Sequence, residues 1–259
     1  MRISVVTVCK NAGMLLEKTI LSVLMQKGNN FEYIIQDGES CDNTLSIAQI
    51  YEEKFRKRNI QYKIESETDH GVADGMNNAI DKCQGEWVIF LNAGDTFYNN
   101  SVLEYFEKIG AQSEADIVFG HTNYIFPRNK KLIVTRKAKD VFRGMGICQQ
   151  STFYKREILE HRKFDARYLL ADYEYLLYMY TQNYKFLSIN MIVSNYGYDG
   201  ATSTKGSLVR KERKQIMNHY KIRYNHRPYI YVKIKEKLLN KFPILKTMLV
   251  VHTELNKKG

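Results

Sequence analysis

Four aspartates stand where apolar segments of the sequence give way to polar turns. They are Asp37, Asp69, Asp95 and Asp172. Any one of them could be an ordinary turn or helix-capping residue, because aspartate is common at both places. Three of them, however, follow strands that are expected to share one sheet. A carboxylate beyond a strand end can accept hydrogen bonds from a nucleobase or a ribose, or hold a divalent cation that neutralises a diphosphate.

The elements that must position these aspartates are strands and helices in alternation. Four apolar segments, rich in β-branched and aromatic residues, are typical of buried strands: 3–9, 31–36, 60–65 and 87–91. Apolar residues at helical spacing lie between them. This alternation predicts parallel strands joined by right-handed crossovers, and therefore a doubly wound α/β sheet.

Beyond residue 91 the alternation weakens. The sequence predicts a helix at 101–109, a strand at 117–120, a hairpin-like excursion at 122–135 and a last strand at 185–189. Residues 140–153 mix glycine, glutamine and apolar residues without a clear period, which favours a loop or short strand that lines a cleft. Asp172 is expected near the N-terminal end of a helix. A polar loop at 196–205 is expected to move over the site.

Two common phosphate-binding patterns do not occur. The sequence holds no GxxxxGK[ST] motif, and no GxGxxG follows the first strand, whose turn has Gly13 alone. These observations disfavour P-loop NTPases and nicotinamide-dependent dehydrogenases. Binding of a diphosphate with the help of a metal ion is left open.

The net positive charge of the chain comes from its C-terminal part. The formal net charge is +11, and residues 205–259 alone hold 15 Lys and Arg against 3 Asp and Glu. We therefore predict a domain at 1–204 and a basic, mainly helical extension at 205–259. A nucleic-acid groove would place its charge on the folded domain, so no nucleic-acid partner is expected.

Lysines and apolar residues interleave from residue 207 onward, which is typical of a segment that lies on an anionic membrane surface. The alternatives are a helix that packs back on the domain and a contact between copies in a homo-oligomer. The four cysteines form no CxxC pair, which favours a reducing compartment and disfavours a zinc site. With neither a signal peptide nor an apolar run of about 18 residues, we expect a cytoplasmic protein, peripheral on the inner face of the membrane.

Four motifs in order carry a family resemblance. The segments ISVVTVCKNAG, IIQDGESCDNT, DHGVADGMNNAI…GEWVIFLNAGD and LLADYEYLL resemble those of family 2 glycosyltransferases over roughly residues 2–180. Members of this family are inverting nucleotide-sugar enzymes of the GT-A fold, with a mostly parallel, Rossmann-like sheet flanked by helices. The likeness is to the bacterial branch that builds capsules, exopolysaccharides and lipopolysaccharide.

The resemblance implies a role for each matching position. Asp172 stands where the catalytic base is found. The donor nucleotide-sugar would be bordered by Thr7, Val8, Asn11, Asp37, Asp69, Asp74, Asn77, Asn92 and Asp95. The acceptor side would include Gln149, Gln150, Tyr173 and Glu174. Glu174 is also an alternative to Asp172 as the base.

The acidic motif of the family departs from its usual form in this chain. It commonly offers two or three carboxylates, whereas Asn92-Ala93-Gly94-Asp95 offers Asp95 alone. A single aspartate can hold Mg²⁺ or Mn²⁺ when a diphosphate and water supply the other oxygens. We therefore expect a divalent cation at Asp95 that binds weakly without the nucleotide.

The sequence thus predicts a hexosyltransferase. It would move a hexose or N-acetylhexosamine from a nucleotide-sugar donor, a UDP-sugar in our interpretation, to a glycan or lipid-linked acceptor. Two other function classes are weighed against it. One is a nucleotidyltransferase on a similar fold, which would need a basic, glycine-rich loop after the first strand. The other is a non-enzymatic nucleic-acid-binding protein that uses the basic extension.

Overall fold

The computed structural model describes residues 2–110, 112–126, 130–135, 137–143, 147–197 and 206–222. Strands and helices alternate through its first half, as predicted. The elements are β1 (Ile3–Cys9), α1 (Gly13–Leu24), β2 (Phe31–Asp37), α2 (Thr44–Ile50), α3 (Glu52–Lys57), β3 (Gln61–Ser66), α4 (Val72–Ile80) and β4 (Trp87–Phe90).

The second half is less regular. Its elements are β5 (Thr96–Phe97), α5 (Val102–Gly110), β6 (Ile117–Phe126), β7 (Lys130–Val134), β8 (Thr152–Lys155), α6 (Arg156–His161), α7 (Ala171–Thr181), β9 (Phe186–Gly197) and α8 (Gly206–His219). Two short 3-10 turns, Ala138–Arg143 and Gln149–Ser151, precede β8.

β1 lies in the middle of a parallel group of four strands. Ile3 pairs with Phe31 of β2 on one side and with Trp87 of β4 on the other, and β3 continues the group beyond β2. Every residue of β1 is buried, which explains why the segment ISVVTVC shows no alternation of polar and apolar residues. The predicted parallel arrangement is confirmed for these strands.

Antiparallel pairs extend the sheet beyond β4. In the described part of the chain the strand order is β3-β2-β1-β4-β8-β6-β9-β5, and β7 pairs with β6. β8 is antiparallel to both β4 and β6, so the segment predicted at 140–153 as a loop or short strand leads into a strand at the centre of the sheet. The predicted last strand at 185–189 belongs to the longer β9, which runs parallel to β6.

Aromatic packing beneath β4 and β8 holds the two halves of the sheet together. The ring of Phe106 on α5 meets that of Trp87 edge-on, with centroids 5.3 Å apart, and it stacks on Phe153 of β8 at 3.6 Å. All three side chains are fully buried. Burial of a large apolar side chain contributes about 1.5–3 kcal/mol, so this contact holds α5 against β4 and β8.

α8 is the first part of the predicted basic extension, and it belongs to the compact unit Met1–Lys221. Ile216 and Met217 of α8 are buried. None of the helices in the described ranges combines the length and the apolar character that crossing a membrane requires. The predicted loop beyond Gly197, the hairpin turn at 127–129 and the apolar, lysine-rich segment after residue 222 lie outside the described residues.

Candidate active site

The predicted donor-binding residues begin at the carboxyl ends of β1 and β2. Asp37, the last residue of β2, is fully buried. Its carboxylate accepts hydrogen bonds from the Ser40 N–H at 2.9 Å, the Ser40 hydroxyl and the Ser66 hydroxyl at 2.8 Å. These hydrogen bonds fix the orientation of the Asp37 carboxylate at the ends of β2 and β3.

Asn11 joins the β1–α1 turn to the loop that follows Asp37. Its backbone is left-handed, with φ of 50°, a conformation that asparagine tolerates better than most residues. Its N–H donates to the Ser40 hydroxyl at 2.7 Å, and its side-chain oxygen accepts the Cys41 N–H at 2.8 Å. Asn11 thus holds the β1–α1 turn against the loop that follows Asp37.

Asp69 reaches the same region from the segment before α4. A Cβ atom added to Gly38 would lie 2.4 Å from Asp69 Oδ2, and one added to Gly75 would lie 3.1 Å from the same oxygen. The close approach of the Asp69 carboxylate to the backbone therefore requires glycine at position 38. The Gly71 N–H donates to Asp69 Oδ1 at 3.1 Å and so orients the carboxylate.

A buried thiol shows that these acidic groups share one environment. Burial raises the pKa of Cys9 well above its usual range, and the negative charges of Asp37, Asp42 and Asp69 raise it further. Such a region suits the hydroxyl and N–H donors of a ribose or a base, and repels a bare diphosphate. We call Asp37, Asp69 and their loops the donor end.

Two predicted donor residues support the site from inside the fold. Thr7 is fully buried, and its hydroxyl donates to the Leu91 carbonyl at 2.7 Å and pairs with the Tyr33 hydroxyl at 2.9 Å. Val8 is 7% exposed, and its Cγ1 lies 2.7 Å from the position of a Cβ built on Gly75. Val8 therefore keeps α4 close to β1, while Thr7 ties β1 to the end of β4.

Asp74 and Asn77 lie on α4. The Asp74 carboxylate accepts the His70 N–H at 3.1 Å, which ties the first turn of α4 to the segment that precedes it. Asn77 donates to the Phe164 carbonyl and accepts the Phe164 N–H, both at 2.8 Å. Since both polar atoms of its side chain are used in this way, Asn77 clamps α4 to the segment that leads to α7.

Asp95 ends the polar turn after β4. Gly94 has φ of +102°, which favours glycine, and its N–H donates to the Thr19 hydroxyl at 2.9 Å; that hydroxyl donates to the Asp95 carbonyl at 2.7 Å. The side chain of Asp95 is buried and accepts the Gly197 N–H at 3.2 Å. Burial raises the pKa of Asp95 to about 7, against the opposing effects of this N–H and of Lys18 and Gln150.

The residues at this turn fit a weakly held divalent cation. Within the described part of the chain, the buried Asn92 Oδ1 has no hydrogen-bond partner, and it lies three residues before Asp95. No group of three or more His, Cys, Asp or Glu in that part could hold a metal. Two oxygen donors suit Mg²⁺ or Mn²⁺ only when a diphosphate and water complete the coordination. The raised pKa of Asp95 shows that the effect of burial exceeds the opposing effects of Lys18 and of the hydrogen bonds.

Asp172 is the second residue of α7 and is partly exposed. Its Oδ1 accepts the Tyr173 N–H at 2.8 Å. Burial raises the pKa of Asp172, the Tyr173 N–H and the charge of Arg213 oppose the shift, and Glu212 adds to it. A carboxyl group with a raised pKa is a better proton acceptor, because it is a stronger base once ionised.

Cys148 lies within electrostatic range of both Asp172 and Asp95. Burial raises the pKa of the Cys148 thiol to about 12, and the negative charges of both Asp95 and Asp172 contribute to the rise. The Cys148 Sγ–H donates to Gln150 Oε1 at 3.0 Å, and Gln150 also hydrogen-bonds to Asp95. We call Asp95, Asp172 and the residues around Cys148 the transfer end.

The other predicted acceptor-side residues are buried. Gln149 Nε2 donates to Met76 Sδ at 2.9 Å, and Tyr173 is 2% exposed. Glu174 is also 2% exposed, and its two oxygens accept Arg162 Nη2 at 2.7 and 2.9 Å. The ion pair uses the Glu174 carboxylate, which favours Asp172 over Glu174 as a base.

Three residues at the transfer end escaped the sequence reasoning: Cys148, Glu212 and Arg213. Glu212 and Arg213 lie on α8, in the extension for which we considered contact with a membrane, with the domain or with another subunit, but no role at the site. A signal was present for Glu212, since it is the one acidic residue between 205 and 235. Its partners in space could not be read from the sequence.

Comparison with known proteins adds an independent line of observation. The sequence model of the family described as Glycosyl transferase family 2 matches residues 4–169, more than half of the chain. The match includes the donor end and Asp95, and it stops three residues before Asp172. The nucleotidyltransferase and nucleic-acid-binding alternatives are not favoured.

A curated relative matches along most of its length. The PGL/p-HBAD biosynthesis glycosyltransferase of Mycobacterium bovis (strain BCG / Pasteur 1173P2) is 28% identical over 222 residues, which cover 81% of this chain and 81% of the relative. The similarity therefore extends beyond the residues that the family model matches.

Solved structures show the same fold at low sequence identity. S. aureus TarS 1-349 in complex with UDP-GlcNAc has a TM-score of 0.65 and 16% identity, and the likeness covers 78% of this chain and 60% of TarS 1-349. The mannosyltransferase PcManGT from Pyrobaculum calidifontis in complex with GDP-Man and Mn²⁺ has a TM-score of 0.67 and 16% identity, over 85% of this chain and 64% of that one. The predicted GT-A fold is confirmed.

Proposed function

Because the chain belongs to glycosyl transferase family 2, we propose that it transfers a hexose or an N-acetylhexosamine from a UDP-sugar, with inversion, to a glycan or lipid-linked acceptor in the synthesis of a bacterial surface polysaccharide. The observation that carries the proposal is that Asp95 and Asp172 both lie near enough to Cys148 for their negative charges to raise the pKa of its thiol. One carboxylate follows β4 and the other begins α7, so two elements far apart in sequence supply the carboxylates of one site.

The donor end supports binding of the nucleoside. Asp37 and Asp69 supply oriented carboxylate oxygens for N–H and hydroxyl donors. TarS 1-349 was solved with UDP-GlcNAc and the mannosyltransferase with GDP-Man, which supports a nucleotide-sugar as the donor class. The choice of a UDP-sugar is the finer part of the proposal.

Asp172 acts as the base. It takes the proton of the acceptor hydroxyl while that oxygen forms a bond to the anomeric carbon, and the bond from this carbon to the diphosphate oxygen breaks on the opposite face. The Tyr173 N–H holds Asp172 Oδ1, so the proton goes to Oδ2. The attack from the opposite face inverts the anomeric configuration.

Asp95 and Asn92 are the residues that would hold Mg²⁺ or Mn²⁺. When bound, the cation supplies positive charge to the leaving diphosphate. The Mn²⁺ in the mannosyltransferase complex supports this part of the proposal. Gln150, which hydrogen-bonds to both Cys148 and Asp95, orients the Asp95 carboxylate.

We further propose that the enzyme works at the inner face of the cell membrane, where the segment 207–259 contacts anionic lipid. The charge of this segment supports the proposal. The buried Ile216 and Met217 tie one side of α8 to the compact unit, so the part of the segment beyond residue 222 can be removed separately. Sedimentation with anionic vesicles tests it: the full chain should sediment, and a chain that ends at residue 222 should not. Equal sedimentation of both would contradict the membrane contact.

A thermal-shift panel tests the donor assignment. Purified full-length chain is mixed with UDP, UDP-GlcNAc, UDP-glucose and GDP-mannose, each with and without Mn²⁺. A ligand at about 100 times its Kd stabilises a protein by about 2.7 kcal/mol, which is a measurable rise in Tm. We expect a UDP ligand with Mn²⁺ to give the largest rise. The absence of a shift with any nucleotide would contradict the proposed function.

A further inference from the structure

α8 contacts the start of α7, the helix that carries Asp172. The Leu169 N–H donates to Glu212 Oε1 at 3.0 Å, and the Leu170 N–H donates to Glu212 Oε2 at 2.7 Å. Leu170 immediately precedes α7, and its apolar side chain cannot cap the helix. A carboxylate 42 positions away in sequence therefore receives the N–H groups that precede the first turn of α7.

Further contacts hold α8 in this place. Ile216 and Met217 are buried. The Tyr220 hydroxyl donates to Glu174 of α7, and the Tyr220 ring lies 6.4 Å from that of Tyr178, centre to centre. The position of Glu212 is thus set by a packed helix, so the contact is not that of a free surface side chain.

We propose that Glu212 is a positioning residue for the transfer reaction, which holds the first turn of α7 so that the Asp172 carboxylate faces the acceptor. The inference rests on the proposed function, in which Asp172 is the base. It assigns to the C-terminal extension a part in the active site, in addition to its proposed contact with the membrane.

The hydrogen bonds at this helix end explain why one carboxylate has such an effect. The Glu174 N–H donates to the Leu170 carbonyl at 2.9 Å, and the Tyr173 N–H donates to Asp172. Without Glu212, the N–H groups of Leu169 and Leu170 lose their charged acceptor and the turn frays. A displacement of a catalytic group by about 1 Å costs roughly 100-fold in rate.

Hydrogen exchange measures the cap directly. The full-length Glu212→Ala, Glu212→Asp and Gln215→Ala variants are compared with the unaltered chain; Gln215 is exposed on the same helix and serves as the matched control. We expect faster amide exchange at residues 169–173 in Glu212→Ala, a smaller change in Glu212→Asp and none in Gln215→Ala. A folded Glu212→Ala variant with unaltered exchange at 169–173 would overturn the proposal.

Turnover then distinguishes positioning from stability. UDP release from UDP-GlcNAc and UDP-glucose is measured for each variant. Glu212→Ala should lower kcat about 10-fold to 100-fold while the donor KM changes by less than about threefold. Glu212→Gln, which retains one acceptor oxygen, should fall between. A purely structural role would lower Tm and leave kcat per folded molecule unchanged, and that result would overturn the proposal.

A double variant separates this inference from the proposed function. If Glu212 acts through Asp172, Glu212→Ala should cost less than about threefold when Asp172 is already asparagine, since interacting residues are not additive. An equally large loss of turnover from Glu212→Ala in the unaltered chain and in Asp172→Asn would count against Glu212 as a positioning residue. Full activity of Asp172→Asn alone would instead contradict the role of Asp172, and hydrogen exchange would still decide whether Glu212 caps α7.

Discussion

The donor end and the transfer end hold their carboxylates differently. At the donor end, Asp37 accepts hydrogen bonds from Ser40 and Ser66. At the transfer end, Asp95 accepts the Gly197 N–H, and burial nevertheless raises its pKa to about 7. Burial also raises the pKa of Asp172, which accepts the Tyr173 N–H.

The difference matches the tasks proposed for the two ends. A pocket that recognises a nucleoside gains from carboxylates already oriented before the ligand arrives, because less freedom is lost on binding. A base and a cation ligand gain from carboxylates whose charge is poorly compensated, because a proton or a cation then stabilises them. Substitutions at the donor end should therefore affect donor binding, and substitutions at the transfer end should affect transfer or cation binding.

Asp172→Asn gives the largest expected effect. It removes the proton acceptor and keeps the shape of the side chain, so transfer should fall by about 10²–10⁴-fold. Binding of UDP, measured by calorimetry, should stay within about twofold, since donor contacts are made elsewhere. Asp81→Asn, at an exposed residue of the same type, serves as the control. Unchanged turnover would remove Asp172 from the role of base.

Asp95→Asn should abolish the dependence on the cation. The variant loses a charged oxygen ligand, and loss of a group that supports a metal typically costs about 10-fold to 100-fold in metal affinity or activity. In the thermal-shift assay, the extra stabilisation that Mn²⁺ gives to the UDP complex should disappear, while stabilisation by UDP alone should persist. An equal Mn²⁺ effect in the variant would place the cation elsewhere.

Asp37→Asn should weaken donor binding more than turnover. The variant loses the negative charge that would accept a hydrogen bond from the nucleoside, and a hydrogen bond to a charged group contributes about 1.5–3 kcal/mol. This corresponds to a loss of UDP affinity of roughly 10-fold or more, with kcat at saturating donor changed little. A large fall in kcat with unaltered UDP affinity would contradict the division of the site into two ends.

The smallest expected effect on turnover is a shift in its pH dependence. Asp172 must be ionised to accept a proton, so kcat falls as the pH drops through its raised pKa. The titratable and charged groups that interact with it are Arg213 and Glu212 of α8, together with Cys148 and Tyr154. Arg213→Ala removes the charge that lowers the pKa of Asp172, and the acid limb of the profile should move to higher pH. A shift to lower pH would contradict this arrangement.

The stability of the fold should also depend on the ionisation of Asp172. Ionisation supports turnover but lowers stability. A raised pKa in the folded state means that ionised Asp172 destabilises the fold, fully at a pH above the folded-state pKa and not at all below the unfolded-state value. Asp172→Asn should therefore raise Tm at alkaline pH, and the gain should vanish on acidification. Thermal unfolding of both proteins at several pH values measures the difference in Tm, and an equal difference at every pH would contradict the prediction.

Local patterns in the sequence determined a large part of this structure. The apolar segments around Ile3, Phe31 and Trp87 became the parallel strands that were predicted, because buried strands need an apolar side chain on both faces. Asp172 was placed near the start of a helix, and it is the second residue of α7. These features depend on residues close together in the chain, and periodicity records them.

Only the tertiary structure decided which polar groups remain for chemistry. Asn77 is used by Phe164, Glu174 by Arg162, and the N–H groups before α7 by Glu212. Each contact joins residues that lie 12 to 87 positions apart. A sequence pattern shows that a residue is polar and where its own element begins. The partner that satisfies its hydrogen bonds depends on how distant elements pack, and that packing determines which carboxylates keep the raised pKa that the proposed transfer requires.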